Sequence, residues 1–283
     1  VSGAVSGERT RRCLVIGSPI GHSRSPLIHR LFAEQFAIAL RYEKREVAPG
    51  ALRAALTAFV DERIVGVNVT VPLKEEACAL ADERSDQARL AGAANVLSLD
   101  PTGRVRADNT DGTGFLEDLA AHHIAVSGRR ILLLGAGGAA RGVVPALLGQ
   151  RAEALVIANR SRDKAEVLVG AFSGLGPVSA SPLEAVFSEP FDLVVNATSL
   201  GVTGTGGFPL PLSRSALGPA TACYDLVYGS GETPFLRWAR EQGVARRVDG
   251  LGMLVEQAAA AFEIWHGRRP ATAPVLEYLR RRV

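Results

Sequence analysis

Three short stretches of the chain carry residue types that do chemistry. At 135–140 it reads GAGGAA, the GxGxxA spacing of a dinucleotide turn. Gly135 ends a predicted strand, Gly137 lets a pyrophosphate approach the backbone, and Ala140 is small enough for the following helix to pack on a sheet. The free N–H groups at that helix's start would face the phosphates. A tight strand–helix turn without a ligand is the alternative reading. The second stretch, Asn159-Arg160-Ser161-Arg162-Asp163-Lys164, falls at the end of the next strand. A ribose 2′-hydroxyl calls for Asp or Glu at the head of that stretch, and Asp163 lies past it. Cations stand there instead, and guanidinium N–H pairs suit a 2′-phosphate. The expected cofactor is therefore NADP, the alternative being solvated residues that open a helix. The third stretch holds Lys74, just past Pro72. Of the 32 cationic residues 29 are Arg, and only Lys44, Lys74 and Lys164 are Lys. Arg stays protonated, whereas Lys can release a proton. Lys74 is thus a candidate acid, or else a solvated helix residue paired with Glu75 or Glu76.

These residues need elements to position them, and the apolar pattern supplies a set. Strands are expected at 14–17, 41–47, 65–71, 94–99, 131–134, 154–158, 191–195 and 221–227. Helices are expected at 26–39, 51–60, from 73, around 86–90, through Phe115 to Leu119, up to Leu148, and over 162–172, 233–242, 251–265 and 274–280. Ser25 would cap the first helix, with Pro26 as its first residue. Pro101-Thr102-Gly103 predicts a hairpin turn to Val105. Ser181-Pro182-Leu183-Glu184 reads as a capping box that starts another helix. Strands alternating with helices imply parallel sheets covered on both faces. Two such α/β units are expected, divided near Asp111.

Bulk composition narrows the classes further. A length of 283 residues favours two domains, and 47% hydrophobic with 22% charged residues excludes bulk disorder. The net charge of +3 is small and aromatics are 6%, so no nucleic-acid partner is expected. Three separated cysteines, Cys13, Cys78 and Cys223, argue against disulfides and zinc, and no metal is expected. They fit a reducing cytoplasm. No run of 18 apolar residues occurs, so no membrane span is expected. The first ten residues are too polar for a signal peptide.

Eight motifs follow one another along nearly the whole chain. They are SPIGHSRSP (18–26), NVTVPLKEEA (68–77), AGAAN (91–95), DNTDG (108–112), GAGGAARG (135–142), NATSLG (196–201), YDLVYGSGETPFL (224–236) and DGLGMLVEQAAAAF (249–262). Together they resemble the shikimate dehydrogenase family. The resemblance implies reversible, NADPH-dependent reduction of 3-dehydroshikimate to shikimate in aromatic amino-acid biosynthesis. It also implies two α/β domains with a cleft between them: a substrate-binding domain, 1–110 completed by 250–283, and a Rossmann-type NADP-binding domain, 111–249. On the matching positions, Lys74 and Asp111 are the catalytic pair. Ser23 and Ser25 hold the substrate carboxylate. Thr70, Asn95, Asp111 and Gln257 hold ring hydroxyls, with Tyr228 nearby. Gly135, Ala136, Gly137, Gly138 and Ala139 line the cofactor turn, and Asn159, Arg160, Ser161 and Lys164 grip the 2′-phosphate. Thr198, Ser199, Leu226 and Gly250 complete the cofactor site. Val96 stands where the family usually has Thr, and Leu226-Val227 where Met or a bulkier residue is common.

The implied chemistry is self-consistent. Ketone reduction needs a hydride on carbon and a positioned acid within hydrogen-bond reach of the oxygen. A Lys–Asp pair provides that acid, and closely coupled groups titrate together. Other readings stand beside each residue. Asp111 could cap a helix, with Asp108 and Asn109 as rival polar groups. Thr70 and Asn68 could be an exposed strand face, and Gln257 could bond only to a neighbour. Asn196 and Thr198 could merely shape a loop. Two rival functions also remain at this level: a quinate/shikimate dehydrogenase using NAD, and a non-catalytic dinucleotide-sensing paralogue. A small-molecule substrate and a monomer or homodimer are expected.

Overall fold

The computed structural model describes residues 10–185, 187–198, 214–229 and 231–282. The chain forms two compact units, one of residues up to Asn109 with Ala258–Val275, the other of Thr110–Gln257 with Leu276 onward.

In the first unit β1 (Arg11–Gly17) runs parallel to β2 (Leu40–Glu46) and β3 (Ile64–Val69). Beyond β3, β5 (Val96–Leu99) and β6 (Val105–Asp108) pair antiparallel, and the two-residue β4 (Glu83–Arg84) closes the order β2-β1-β3-β5-β6-β4. The sheet is therefore mixed, not parallel as the alternation suggested. The predicted hairpin is the reason, because its turn is too short for a crossover helix. Asp100 Oδ1 accepts from Thr102 N (2.8 Å), Thr102 Oγ1 (2.6 Å) and Arg104 N (3.0 Å), and Gly103 takes φ +88°.

Helices α1 (Ser25–Gln35), α2 (Leu52–Asp61), α3 (Lys74–Leu80) and α4 (Asp86–Ala91) accompany this sheet. Leu14, Ile16, Leu52, Phe59, Val67, Leu73 and Leu97 belong to one buried core. A second cluster joins His29 and Phe32 of α1 to Phe262 of α9 (Leu251–His266). Trp265 Nε1 donates to Leu97 O at 3.2 Å, and its ring lies directly on Gly66. Ser25 is the first residue of α1 rather than its cap. Arg24 holds the cap position with no side-chain bond, because the Ser25 backbone is already helical.

In the second unit all six strands are parallel, in the order β12-β11-β10-β7-β8-β9. They are β7 (Arg130–Leu134), β8 (Ala154–Asn159), β9 (Val178–Pro182), β10 (Phe191–Asn196), β11 (Leu217–Asp225) and β12 (Arg246–Val248). This is the doubly wound Rossmann order, with its switch point between β7 and β10. Helices α5 (Asp111–Ala121), α6 (Gly138–Gly149), α7 (Arg162–Phe172) and α8 (Pro234–Glu241) belong to this unit, and α10 (Ala273–Arg280) ends the chain. The capping box at 181–184 is not a helix start. Ser181 and Pro182 end β9, and Ser181 Oγ donates to Pro182 O (3.1 Å) instead of accepting from a helix turn. Pro182, which lacks an N–H, is tolerated because β9 is an edge strand. Among the described residues no helix is long and apolar enough to cross a membrane.

A Cβ on Gly66 would lie 2.5–2.9 Å from three atoms of the Trp265 indole. Gly66→Ala is therefore expected to destabilise the chain by about 1–3 kcal/mol. A urea midpoint matching the parent's would contradict this packing.

Candidate active site

The substrate-class residues of the first unit gather where β1 and β3 end. The chain after β1 carries Ser23, whose Oγ donates to Ser25 Oγ (3.2 Å) and accepts from Ser25 N (3.3 Å). Both hydroxyls stand at the start of α1, whose first turn contains no acidic residue. That is a setting for a carboxylate, since free helix N–H groups and hydroxyl donors favour negative charge. Thr70 follows β3, and its N–H donates to Ile16 O (2.9 Å). Its methyl presses on Gly17, where a Cβ would lie 2.5 Å away, so the two strand ends touch because Gly17 has no side chain.

Lys74 is the first residue of α3 and is half-buried. Its carbonyl accepts from Ala94 N (2.8 Å), which ties it to the segment bearing Asn95. Glu76 is used elsewhere, accepting from Gly50 N at 3.0 Å. Asn95 is buried at 2% exposure; its carbonyl accepts from Val69 N (2.8 Å) and Asn68 Nδ2 (3.2 Å). The rival polar groups Asp108 and Asn109 have structural partners. Asp108 Oδ1 accepts from Ser85 Oγ (2.7 Å), and Asn109 Nδ2 donates to Ala93 O (2.8 Å).

In the second unit Asp111 opens α5 and is buried, with Thr110 rather than itself at the cap. Two glycines seat it. A Cβ on Gly142 would fall 2.7 Å from Asp111 Oδ2, and one on Gly112 would fall 2.8 Å from Ala146 Cβ. Helices α5 and α6 therefore approach closely and bring Asp111 against α6. Gly114 lies just as close to the backbone of Gln257, whose carbonyl accepts from Thr110 Oγ1 (3.0 Å). The Gln257 side chain donates to Leu254 O at 2.8 Å.

The glycine-rich turn follows β7. Gly135 takes φ +106°, and a Cβ there would lie 3.0 Å from both Ala197 O and Thr198 Cγ2 at the end of β10. The turn thus sits at the switch point, where doubly wound sheets bind ligands. Gly137 caps α6, and a Cβ on Gly137 or Gly138 would meet open space, leaving backbone N–H groups approachable. Ala136 packs on the core, Ala139 lies in the first turn of α6, and Ala140 is fully buried. Asn159 ends β8 and donates to Ser161 O (2.8 Å), with Ser161 at the cap of α7. Arg160 and Lys164 are exposed and have no ion-pair partner among the described residues, while Arg162 pairs with Glu166. These features fit a phosphorylated dinucleotide: an open helix start for the pyrophosphate, and exposed cations in place of a carboxylate.

Asp225, which sequence reasoning missed, organises the neighbouring strand ends. It is fully buried and accepts from Asn196 Nδ2 (2.8 Å), Val227 N (3.0 Å) and Thr233 Oγ1 (2.6 Å). Burial pushes its carboxyl up to about 6, against the pull of those three donors. Asn196 Oδ1 in turn accepts from Thr198 Oγ1 (2.7 Å). Leu226 N donates to Asn196 O (2.9 Å), and Leu226 O lies 2.3 Å from where a Gly250 Cβ would stand. Leu226 and Thr198 thus meet on Asn196, which the buried Asp225 carboxylate holds, and Gly250 packs on the Leu226 backbone. Tyr228 follows in the next loop, and Ser199 lies outside the described residues. The three donors converging on Asp225 had no local signal beyond a strand ending in Asp. Among the described residues no cluster suited to a metal ion occurs.

Comparison with known proteins covers the same segments. The family model described as shikimate dehydrogenase substrate binding domain matches residues 15–97. Models described as shikimate / quinate 5-dehydrogenase and shikimate 5'-dehydrogenase C-terminal domain match 118–201 and 250–280. A shikimate dehydrogenase (NADP(+)) of Alkalilimnicola ehrlichii is 50% identical over 272 residues, covering 96% of this chain and 99% of that protein. One of Aeromonas hydrophila is 49% identical, covering 95% and 97%. The structure of a shikimate 5-dehydrogenase from Thermus thermophilus, in complex with NADP(H) and shikimate, superposes with TM-score 0.85 at 35% identity, covering 96% and 100%.

Asp225→Ala strips the acceptor from three donors, and leaving such groups buried costs about 1–3 kcal/mol each. A loss of at least about 3 kcal/mol in urea unfolding is expected. A loss below about 1 kcal/mol would show that the network does not organise these strand ends.

Proposed function

Because the chain belongs to the shikimate dehydrogenase family, we propose that it reduces 3-dehydroshikimate reversibly to shikimate with NADPH, using Lys74 and Asp111 as its catalytic pair. The observation that carries this reading is 50% identity, over 96% of the chain, to a curated NADP(+)-dependent relative. The local structure agrees with it. Residues up to Asn109 with Ala258–Val275 serve as the substrate-binding domain, and Thr110–Gln257 as the NADP-binding domain. The chain works on small molecules in the cytoplasm, without nucleic acid, as a monomer or homodimer.

Each residue's part is the one that the family resemblance gives its position. NADPH, when bound, supplies the hydride. Gly135, Ala136, Gly137, Gly138 and Ala139 hold its pyrophosphate at the start of α6, while Asn159, Arg160, Ser161 and Lys164 hold the 2′-phosphate. Thr198, Ser199, Leu226 and Gly250 border the remainder of the cofactor. Ser23 and Ser25 donate to the substrate carboxylate, and Thr70, Asn95 and Gln257 hold its hydroxyls, with Tyr228 beside them. Lys74 Nζ gives its proton to the carbonyl oxygen on reduction and takes it back on oxidation. Asp111 orients the ammonium and accepts from the substrate hydroxyl. Neutral hydrogen-bonding groups suit a polyhydroxylated acid, since an analogue lacking a hydroxyl leaves them unpaired.

Purified protein assayed with shikimate or quinate, each with NADP or NAD, is expected to turn over fastest with shikimate and NADP. Preference for quinate with NAD would overturn the assignment, and binding of NADP without turnover would indicate a sensor. Lys74→Arg keeps the charge but holds its proton, so kcat is expected to fall about 10²–10⁴-fold. Near-normal kcat would end the proton-transfer role. Lys164→Arg asks only for charge, and its KM for NADP is expected to stay within about twofold.

A further inference from the structure

Asn196 ends β10, where its residue type alone suggested no more than a loop-shaping part. It is fully buried, and its side chain is bonded at both ends. Nδ2 donates to Asp225 Oδ1 at 2.8 Å. Oδ1 accepts from Thr198 N at 3.1 Å and from Thr198 Oγ1 at 2.7 Å. These partners settle which end of the amide is which. The Thr198 N–H can only donate, so it meets the amide oxygen and leaves Nδ2 turned toward the carboxylate.

The carboxylate is itself anchored. Asp225 Oδ1 also accepts from Val227 N at 3.0 Å, and Oδ2 accepts from the Thr233 hydroxyl at 2.6 Å. Thr233 is fixed in turn as the cap of α8, where its hydroxyl accepts from Leu236 N at 3.3 Å. Asp225 thus holds the amide in one orientation from a rigid base.

At Thr198 this anchoring reaches the glycine-rich turn. The strand end sets its backbone, since Ala197 N donates to Leu134 O at 2.8 Å. Asn196 sets its side chain. With the Thr198 hydroxyl on Asn196 Oδ1, the methyl falls at Gly135, 3.0 Å from where a Cβ on that glycine would stand. A β-branched side chain has few χ1 states, so bonding one branch places the other. A threonine without this acceptor can turn its methyl away from Gly135. Leu226 N donates to the backbone carbonyl of Asn196 at 2.9 Å, so shortening the Asn196 side chain leaves that bond in place.

We propose that Asn196 is a positioning residue for NADP binding, its amide holding Thr198 against the glycine-rich turn. This rests on the reading above that Thr198 borders the cofactor. Asn196 acts through Thr198, so its loss falls on NADP and not on shikimate.

The test is a double-mutant cycle of Asn196→Ala and Thr198→Ala. It measures Kd for NADP by titration of the substrate-free protein, KM for shikimate at saturating NADP, and thermal unfolding. Asn196→Ala is expected to weaken NADP binding about tenfold, the equivalent of one well-placed hydrogen bond. Its KM for shikimate is expected to stay within about twofold, a split that a purely structural role would not produce. The double variant is expected to bind NADP little worse than Thr198→Ala alone. If Thr198→Ala weakens NADP binding and Asn196→Ala does not, the positioning role fails while the cofactor reading of Thr198 stands. Additive losses, or equal losses for NADP and shikimate, would also overturn it, because Asn196 would then not act through Thr198. If Thr198→Ala binds NADP as the parent does, the cofactor reading of Thr198 itself fails. Should Asn196→Ala not fold, Thr198→Val keeps the branched shape and removes the hydroxyl that Asn196 holds. It carries the same expectation and the same contradicting result.

Discussion

The carbonyl of Asn95 is the point on which the first unit's chemistry hangs. It accepts from Val69 N and from Asn68 Nδ2, while the Asn95 N–H donates to Asp108 O. One residue thereby closes the ends of three strands, β3, β5 and β6, in a place where an unpaired backbone group would be costly. Two residues before Val69 on β3 is Val67, deep in the core, and one residue after it is Thr70. The adjoining Ala94 N–H holds the carbonyl of Lys74. Lys74 therefore stands at a helix start fixed by the same few bonds that fix Asn95. The placement of the proposed proton donor follows from backbone closure more than from any feature of its own helix.

The second unit repeats the device with a side chain. Asp225 collects donors from the ends of β10 and β11 and from the cap of α8, and Gly135 lets the neighbouring turn pass within contact of Ala197. In both units these polar bonds gather at strand ends, while the middles of β1, β7 and β10 are apolar and buried. The cation usage then separates by task. Arginines stand where charge alone is needed, as in the exposed pairs Arg162–Glu166 and Arg104–Glu83. Lys44 now has a place as well, donating through Nζ to Gly21 O in the loop that leads to Ser23.

Elements with strong apolar periodicity were legible in the sequence, and those made by long-range pairing were not. Strands β7, β8 and β10 and the helix after the glycine turn announce themselves. The antiparallel half of the first sheet follows from the turn at Pro101-Thr102-Gly103, which the simple alternation of strand and helix overrode. Strands β9 and β12 are short and polar at the surface, so they carry little pattern, and β9 took the form of a capping box because Ser-Pro suits either context. Ser23, Ser25, Thr70, Lys74, Asn95 and Asp111 were legible as motif members, but their partners were not. Asp225 binds groups from separate segments of the chain, and no local spacing reports that. Ser25 shows the limit well: its type fits a helix cap, and only the backbone reveals that it is the first helical residue, with its hydroxyl turned toward Ser23.

In the proposed reaction Lys74 and Asp111 meet the same substrate oxygen, the one that exchanges between ketone and alcohol. A crystal structure of the protein with shikimate and NADP bound tests this most directly. Lys74 Nζ and an Asp111 carboxylate oxygen are each expected within about 3.2 Å of the hydroxyl that is oxidised. Another carboxylate at that oxygen, or a Lys74 ammonium turned to solvent beyond hydrogen-bond reach, would contradict it.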